Sequence, residues 1–312
     1  MYKFSLGNFI SESNQLLENV EIAYHIFGEL APEKKVIWVC HALTANSDAQ
    51  DWWPNFIGEN LTLDTEKYTI VCANILGSCY GTSFQKQEKL PLITIRDMVK
   101  LHQELAKFLQ ISEIELLLGG SLGGMQCLEW AIAEPDFIKK LFVIATNAKH
   151  SAWGIAFNEA QRMALELGEN GIDAARAIAM LSYRNYATFE ETQTDEEEKL
   201  EQYRAASYQR HQGEKLRKRF SKESYLMLSK AMDSHHLGRG RNSVENALSQ
   251  ITAETLVIGI DSDILFPVSE QKFLAEHIKN AKLEVISSLY GHDGFLIETE
   301  KISTLLKKHF KL

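Results

Sequence analysis

Six short runs in this sequence are apolar almost without interruption: VIWVC (Val36–Cys40), YTIVCANI (Tyr68–Ile75), IELLLGG (Ile114–Gly120), LFVIAT (Leu141–Thr146), TLVIGI (Thr255–Ile260) and LEVIS (Leu283–Ser287). They are rich in β-branched residues and do not alternate with polar ones. A strand solvated on one face would alternate, whereas a strand covered on both faces need not. Such runs, separated by helix-like text, predict a mostly parallel sheet with helices on both faces, an α/β architecture. Between two of them, Thr94–Gln110 (TIRDMVKLHQELAKFLQ) carries apolar residues at helical spacing, which suits the crossover that parallel strands need.

The strand–helix rhythm stops near Lys149. From there to Ser249 the text is helical and heavily charged, with an acidic run (Glu190, Glu191, Asp195, Glu196, Glu197, Glu198) and a basic one (Lys215, Arg217, Lys218, Arg219). Charge runs of this kind read first as solvated helix faces. The expected organisation is a core of residues 1–148 and 250–312, interrupted by a helical lid of residues 149–249 over the strand ends, where such sheets place their ligands.

Composition narrows the function. The 45% hydrophobic and 24% charged content is that of a soluble globular protein, and the formal net charge of -9 disfavours nucleic-acid partners and anionic membrane surfaces. No apolar window is long enough to span a bilayer, and the N-terminus lacks the basic and apolar blocks of a secretory signal, so the cytoplasm is the expected compartment. The four cysteines, Cys40, Cys72, Cys79 and Cys127, form no C-x-x-C pair. Neither a disulfide framework nor a metal site is expected, and no bound cofactor is indicated.

The sharpest local signal is ELLLGGSLGGMQCLEWA, in which a buried-type strand runs into Gly119-Gly120-Ser121-Leu122-Gly123 and a helical pattern follows at once. This is G-x-S-x-G in the strand–turn–helix context that raises a serine hydroxyl at a helix N-terminus, where developing negative charge is favoured. Serine is a poor nucleophile until a base removes its proton. Chain order Ser, Asp, His points to His292 in the loop after LEVIS, and to Asp261 or Asp263 in the loop after TLVIGI. An oxyanion hole would draw on the backbone N–H of Leu122 and on that of Leu43 in the loop after the first buried strand. His41, beside that loop, reads as structural.

Longer matches accompany these residues: CHALT (Cys40–Thr44), NILGSCYGT (Asn74–Thr82), TIRDMV (Thr94–Val99), GGSLGGMQCLEWA (Gly119–Ala131), FNEAQR (Phe157–Arg162), the stretch from Tyr208 to Phe220, AMDSHHLGRGR (Ala231–Arg241), DSDILFP and GHDGF. In this order and over nearly the whole chain, the sequence resembles the homoserine O-acetyltransferase family of α/β-hydrolase-fold acyltransferases. The resemblance implies acyl-CoA as co-substrate, acetyl-CoA in the first instance, and a ping-pong transfer to the hydroxyl of homoserine in methionine biosynthesis. It implies the triad Ser121, Asp263 and His292. It further implies that Arg176, with Tyr183 nearby, meets the amino acid's carboxylate, that Asp293 meets its ammonium, and that the protein is a homodimer built through the lid.

Departures from the family pattern at Ala45, Gly77-Ser78-Cys79 and Ser83-Phe84, and a shortened segment between Arg162 and Arg176, are expected near the acyl pocket or its entrance. They leave a succinyl donor and a serine acceptor open within the same mechanism. A serine esterase or thioesterase would share every step up to the acyl-enzyme, and a retired, non-catalytic scaffold would have no reason to keep the triad intact.

Overall fold

The computed structural model describes residues 1–168 and 170–311. Its centre is an eight-stranded sheet: β1 (Tyr2–Ile10), β2 (Leu16–Phe27), β3 (Lys35–Cys40), β4 (Tyr68–Ala73), β5 (Ile114–Gly120), β6 (Ile138–Ile144), β7 (Glu254–Ile260) and β8 (Ala281–Ile286). They lie side by side in the order β1-β2-β4-β3-β5-β6-β7-β8. From β4 to β8 every neighbouring pair is parallel, and β1 and β2 add an antiparallel edge.

The six apolar runs all form strands, five of them buried and the sixth, β8, a partly exposed edge. The antiparallel strands β1 and β2 were not singled out, for a physical reason. β1 is covered on one side only, so its exposure alternates and no continuous run marks it. Within β5, Leu116 and Leu118 enter one core with Ile302, Leu306 and Phe310 of the C-terminal helix α10 (Thr299–Phe310). Leu117 enters the other core, with Trp38, Met98 and Trp130. A strand packed on both faces needs apolar side chains in both directions.

Crossover helix α1 (Ile95–Phe108) starts where the sequence predicts. Thr94 accepts from the Asp97 N–H, and the Asp97 carboxylate accepts from the Thr94 N–H at 2.9 Å, a capping box that satisfies two otherwise orphaned donors. Helix α2 (Leu122–Ala133) follows β5 directly. Between β6 and β7, among the described residues, the named elements are all helices: α3 (Ala152–Leu165), α4 (Gly171–Tyr183), α5 (Tyr186–Gln193), α6 (Arg204–Arg217), α7 (Lys222–Asp233) and α8 (Val244–Leu248). Helix α9 (Val268–His277) then crosses from β7 to β8.

Charge pairs root this helical segment. Arg162 on α3 meets Asp233 at the end of α7 at 2.6 Å. Where the chain returns to the sheet, Arg241 meets buried Glu129 of α2 at 2.7 Å, Arg96 meets the same carboxylate, and Arg239 meets Glu12 at 3.0 Å. The TIRDMV and AMDSHHLGRGR stretches thus converge on one ion network. Removing one partner of such a network leaves a charge uncompensated, which costs far more than the network contributes by itself.

The turn between β5 and α2 is compressed against β3. A Cβ at Gly123 would stand 2.1 Å from the Cys40 carbonyl oxygen, and one at Gly119 would stand 2.6 Å from Gly123. Gly123→Ala should therefore destabilise the protein by roughly 1–3 kcal/mol or more through overpacking. Chemical denaturation measures this; a midpoint equal to wild type would show that the turn can relax.

Candidate active site

Ser121 sits at the bottom of a cavity of about 460 Å³ whose wall also includes Leu43, Arg176, Tyr183, His292 and Asp293. Its backbone is left-handed, at φ 55° and ψ -126°, which is costly for a residue with a side chain and lifts the hydroxyl out of the turn. The conformation is held by hydrogen bonds from Ser121 N–H to the Ile144 carbonyl (3.1 Å) and from the Thr146 hydroxyl to the Ser121 carbonyl (2.8 Å). With Ser121 buried, its hydroxyl donates to His292 Nε2 at 2.9 Å.

Since Asp263 can only accept, His292 Nδ1 carries the proton and donates it to Asp263 Oδ2 at 2.7 Å. The other carboxylate oxygen accepts from the N–H groups of Leu265 (2.8 Å) and Phe266 (2.9 Å), so the orienting acid is itself oriented. Asp261, the rival candidate, is exposed and turns away to accept from the Ser288 N–H at 3.2 Å. The two aspartates thus part by geometry. Phe266 stacks on the imidazole with centroids 5.1 Å apart, and Phe295 and Tyr183 flank it at 5.3 and 5.6 Å. These aromatics confine the ring to the plane that both hydrogen bonds require.

Leu43 lies in the loop that leaves β3, and Leu122 is the first residue of α2. Neither N–H has a hydrogen-bond partner among the described residues. His41 holds the loop from behind: its Nδ1–H donates to the Ala42 carbonyl (2.8 Å), and its Nε2 accepts from the Ile75 N–H (3.1 Å). Burial drives its pKa down to about 4, so the ring stays neutral with both nitrogens consumed by backbone. Gln126 of α2 adds a bond from its amide to the His41 carbonyl at 3.1 Å and accepts from His102 Nε2 at 2.9 Å.

The residues expected to meet the substrate, Arg176, Tyr183 and Asp293, line the same cavity. The Arg176 guanidinium lies over the Tyr183 ring, 5.3 Å from its centroid, which leaves its fork edges free. Asp293 is not a solitary carboxylate, because Arg184 Nε stands 3.0 Å from its Oδ2. Of the departures from the family pattern, Ala45 lies on the cavity wall. Ser83 instead pairs antiparallel with Glu21 of β2, at 2.9 and 3.0 Å, and Phe84 packs against the core. The expectation that all of these changes border the acyl pocket is corrected accordingly: position 83 belongs to the sheet edge.

The cavity wall also includes Asp51, Trp52, Tyr80, Lys215 and Arg219, to which the sequence assigned no site role. Tyr80 lies in the NILGSCYGT stretch and Lys215 and Arg219 in the basic run, but only tertiary folding brings them to the cavity. Arg219 donates to the Thr44 carbonyl (2.5 Å) and to the Tyr80 hydroxyl (2.9 Å), joining α6 to the loop that carries Leu43.

A family described as alpha/beta hydrolase fold matches residues 35–299. The homoserine O-acetyltransferase of Cyclobacterium marinum is 41% identical, over 96% of this chain and 92% of that protein. The crystal structure of homoserine O-acetyltransferase from Staphylococcus aureus superposes with a TM-score of 0.88 at 30% identity, covering all of this chain and 95% of that one. Esterase E22 superposes equally well, with a TM-score of 0.88, but at 18% identity, so it speaks to the fold alone.

Buried neutral histidines set a pH dependence. Desolvation lowers His41, His102 and His150 from the ordinary 6.5 to about 4, and His235 to about 3. Below pH 6.5 the unfolded chain binds protons that the folded chain refuses, so stability falls as pH drops from 6.5 towards 4. The thermal midpoint should decline already between pH 6.5 and 5, above the range where most carboxylates titrate. A flat midpoint there, followed by calorimetry, would contradict the burial of these rings as neutral species.

Proposed function

Because this chain belongs to the homoserine O-acetyltransferase family of α/β-hydrolase-fold enzymes, we propose that it moves an acetyl group from acetyl-CoA to the side-chain hydroxyl of L-homoserine through a Ser121 acyl-enzyme. The carrying observation is the continuous Ser121–His292–Asp263 relay, at 2.9 and 2.7 Å, facing a cavity that also presents Arg176 and Asp293.

The chemistry follows from these positions. His292 Nε2 takes the hydroxyl proton as Ser121 Oγ attacks the thioester carbonyl, and the negative charge that forms on its oxygen is met by the N–H groups of Leu43 and Leu122. Collapse breaks the C–S bond, and the imidazolium returns the proton to the departing thiolate. In the second half-reaction the same nitrogen takes the proton of the acceptor hydroxyl. The alkoxide attacks the acyl-serine, and Ser121 recovers its proton as the new ester leaves. Asp263 stabilises the imidazolium in both halves and remains a carboxylate throughout.

Transfer rather than hydrolysis requires that an alcohol be held where water would otherwise react. Arg176 suits a carboxylate through its planar fork, and Asp293 supplies the opposite charge for an ammonium. A general esterase or thioesterase has no need of this pair. Acetylated homoserine carries a leaving group for later displacement, which fits a role in methionine biosynthesis in the cytoplasm.

The helical segment between β6 and β7 serves as a lid, and its α3 helix offers a surface for a second copy of the chain. Trp153 and Met163 on α3 and Leu167 just past its end are 53%, 61% and 81% exposed, an unusual amount of apolar surface for one short stretch. Met163→Glu with Leu167→Glu should convert a homodimer to monomer in sedimentation velocity. A wild-type monomer would reject this part of the proposal.

Purified protein should release thiol from acetyl-CoA in a manner that depends on homoserine; release indifferent to the amino acid would favour the thioesterase reading. Running succinyl-CoA and L-serine in parallel fixes donor and acceptor. Ser121→Ala should lower turnover by roughly 10⁴-fold or more. Arg176→Ala should raise the homoserine KM by about tenfold to a hundredfold while leaving acyl-enzyme formation largely intact. A block at acylation would give Arg176 a different role.

A further inference from the structure

The basic run of helix α6 divides into two kinds of cation. Arg217 meets Asp173 at 2.9 Å, and Lys218 meets Glu214 at 2.7 Å, so both are neutralised on the protein surface. Lys215 and Arg219 have no carboxylate partner among the described residues, and these are the two that line the active-site cavity. Lys215 is in the last turn of α6, and Arg219 lies in the turn that follows the helix, two residues past its end. Arg219 is held by neutral oxygens only, those of Thr44 and of the Tyr80 hydroxyl. A guanidinium has five N–H donors, and these contacts leave Nε–H and one Nη2–H of Arg219 without a partner.

We propose that Lys215 and Arg219 form the subsite for the phosphate groups of the acyl donor. This rests on the acyl-CoA reading above and extends it by assigning residues to the donor's nucleotide end. Two observations favour an anion there. The chain carries a formal net charge of -9, which repels a polyanionic thioester from most of its surface. A local pair of unneutralised cations at the cavity counters that field where the donor must enter. The second observation is division of labour. Arg176, deeper in the insert on α4 and stacked on Tyr183, suits the carboxylate of the acceptor. Arg219 stands instead with Tyr80 and the Thr44 loop, and Lys215 lines the same cavity from the exposed end of α6. Asp51 is a carboxylate on the same wall, and its charge disfavours an anion spreading in that direction. Arg219 also ties the donor subsite to the loop that carries Leu43.

The test compares acetyl-CoA with acetyl-pantetheine, which keeps the thioester and lacks every phosphate. Acylation of Ser121 is followed by mass spectrometry under single-turnover conditions, for wild type, Lys215→Ala and Lys215→Ala with Arg219→Ala. The ratio of acylation rate constants, acetyl-CoA over acetyl-pantetheine, should fall by roughly tenfold in the single variant and further in the double. The single variant separates charge from loop support, because Lys215 makes no recorded contact with Thr44. An unchanged ratio overturns the assignment, whether both rates fall together or neither falls. Equal loss with both donors would place the residues in support of the oxyanion loop. If wild-type protein is acylated by neither donor, the transferase reading itself fails and takes this assignment with it.

Discussion

The whole site depends on how closely the backbone of one turn approaches the end of β3. Gly119 and Gly123 admit the Cys40 carbonyl at distances that no side chain would permit. That contact fixes the left-handed Ser121, and with it the direction in which the hydroxyl points. The same carbonyl stands at the start of the loop that carries Leu43. One compressed backbone contact therefore sets two distances together, from Ser121 to His292 and from Ser121 to the Leu43 loop. Burial on both faces of the sheet supplies the force that keeps the turn compressed, since relaxing it would part Leu117 and Leu118 from their respective cores.

Around that contact the polar residues are arranged in layers. His292 is oriented by Asp263, Asp263 by the Leu265 and Phe266 amides, and the Leu43 loop by His41 and Gln126. Each layer is satisfied by the next, so few of its atoms are left to adjust when charge develops. Preorganisation of this kind is where most electrostatic rate acceleration originates. His41 and His102, which support these layers from behind, are kept neutral by burial and act as rigid donors and acceptors.

The parallel sheet was legible because strands covered on both faces must be apolar in both directions, and the serine turn because its glycines are sterically compelled. His292 followed from chain order. Asp263 and Asp261 could not be separated by composition or spacing, since both follow the same strand; the bond to His292 and the backbone amides of Leu265 and Phe266 distinguish them. The antiparallel strands β1 and β2 escaped notice because polar and exposed positions interrupt them and leave no continuous apolar run. Tyr80 is far in the chain from Lys215 and Arg219, and they meet only when the segment after α4 folds over the β3 loop, so no local pattern could have brought the basic run to the cavity.

The ion pair between Arg184 and Asp293 has a consequence for which amino acids such a site tolerates. Where we propose that the acceptor sits, Asp293 is already paired with Arg184, and Arg176 brings a second guanidinium to the cavity. On that proposal a zwitterion adds no net charge as it enters, whereas a diamino acid would bring a second ammonium beside two guanidiniums. Charge would then disfavour cationic amino acids without any steric barrier.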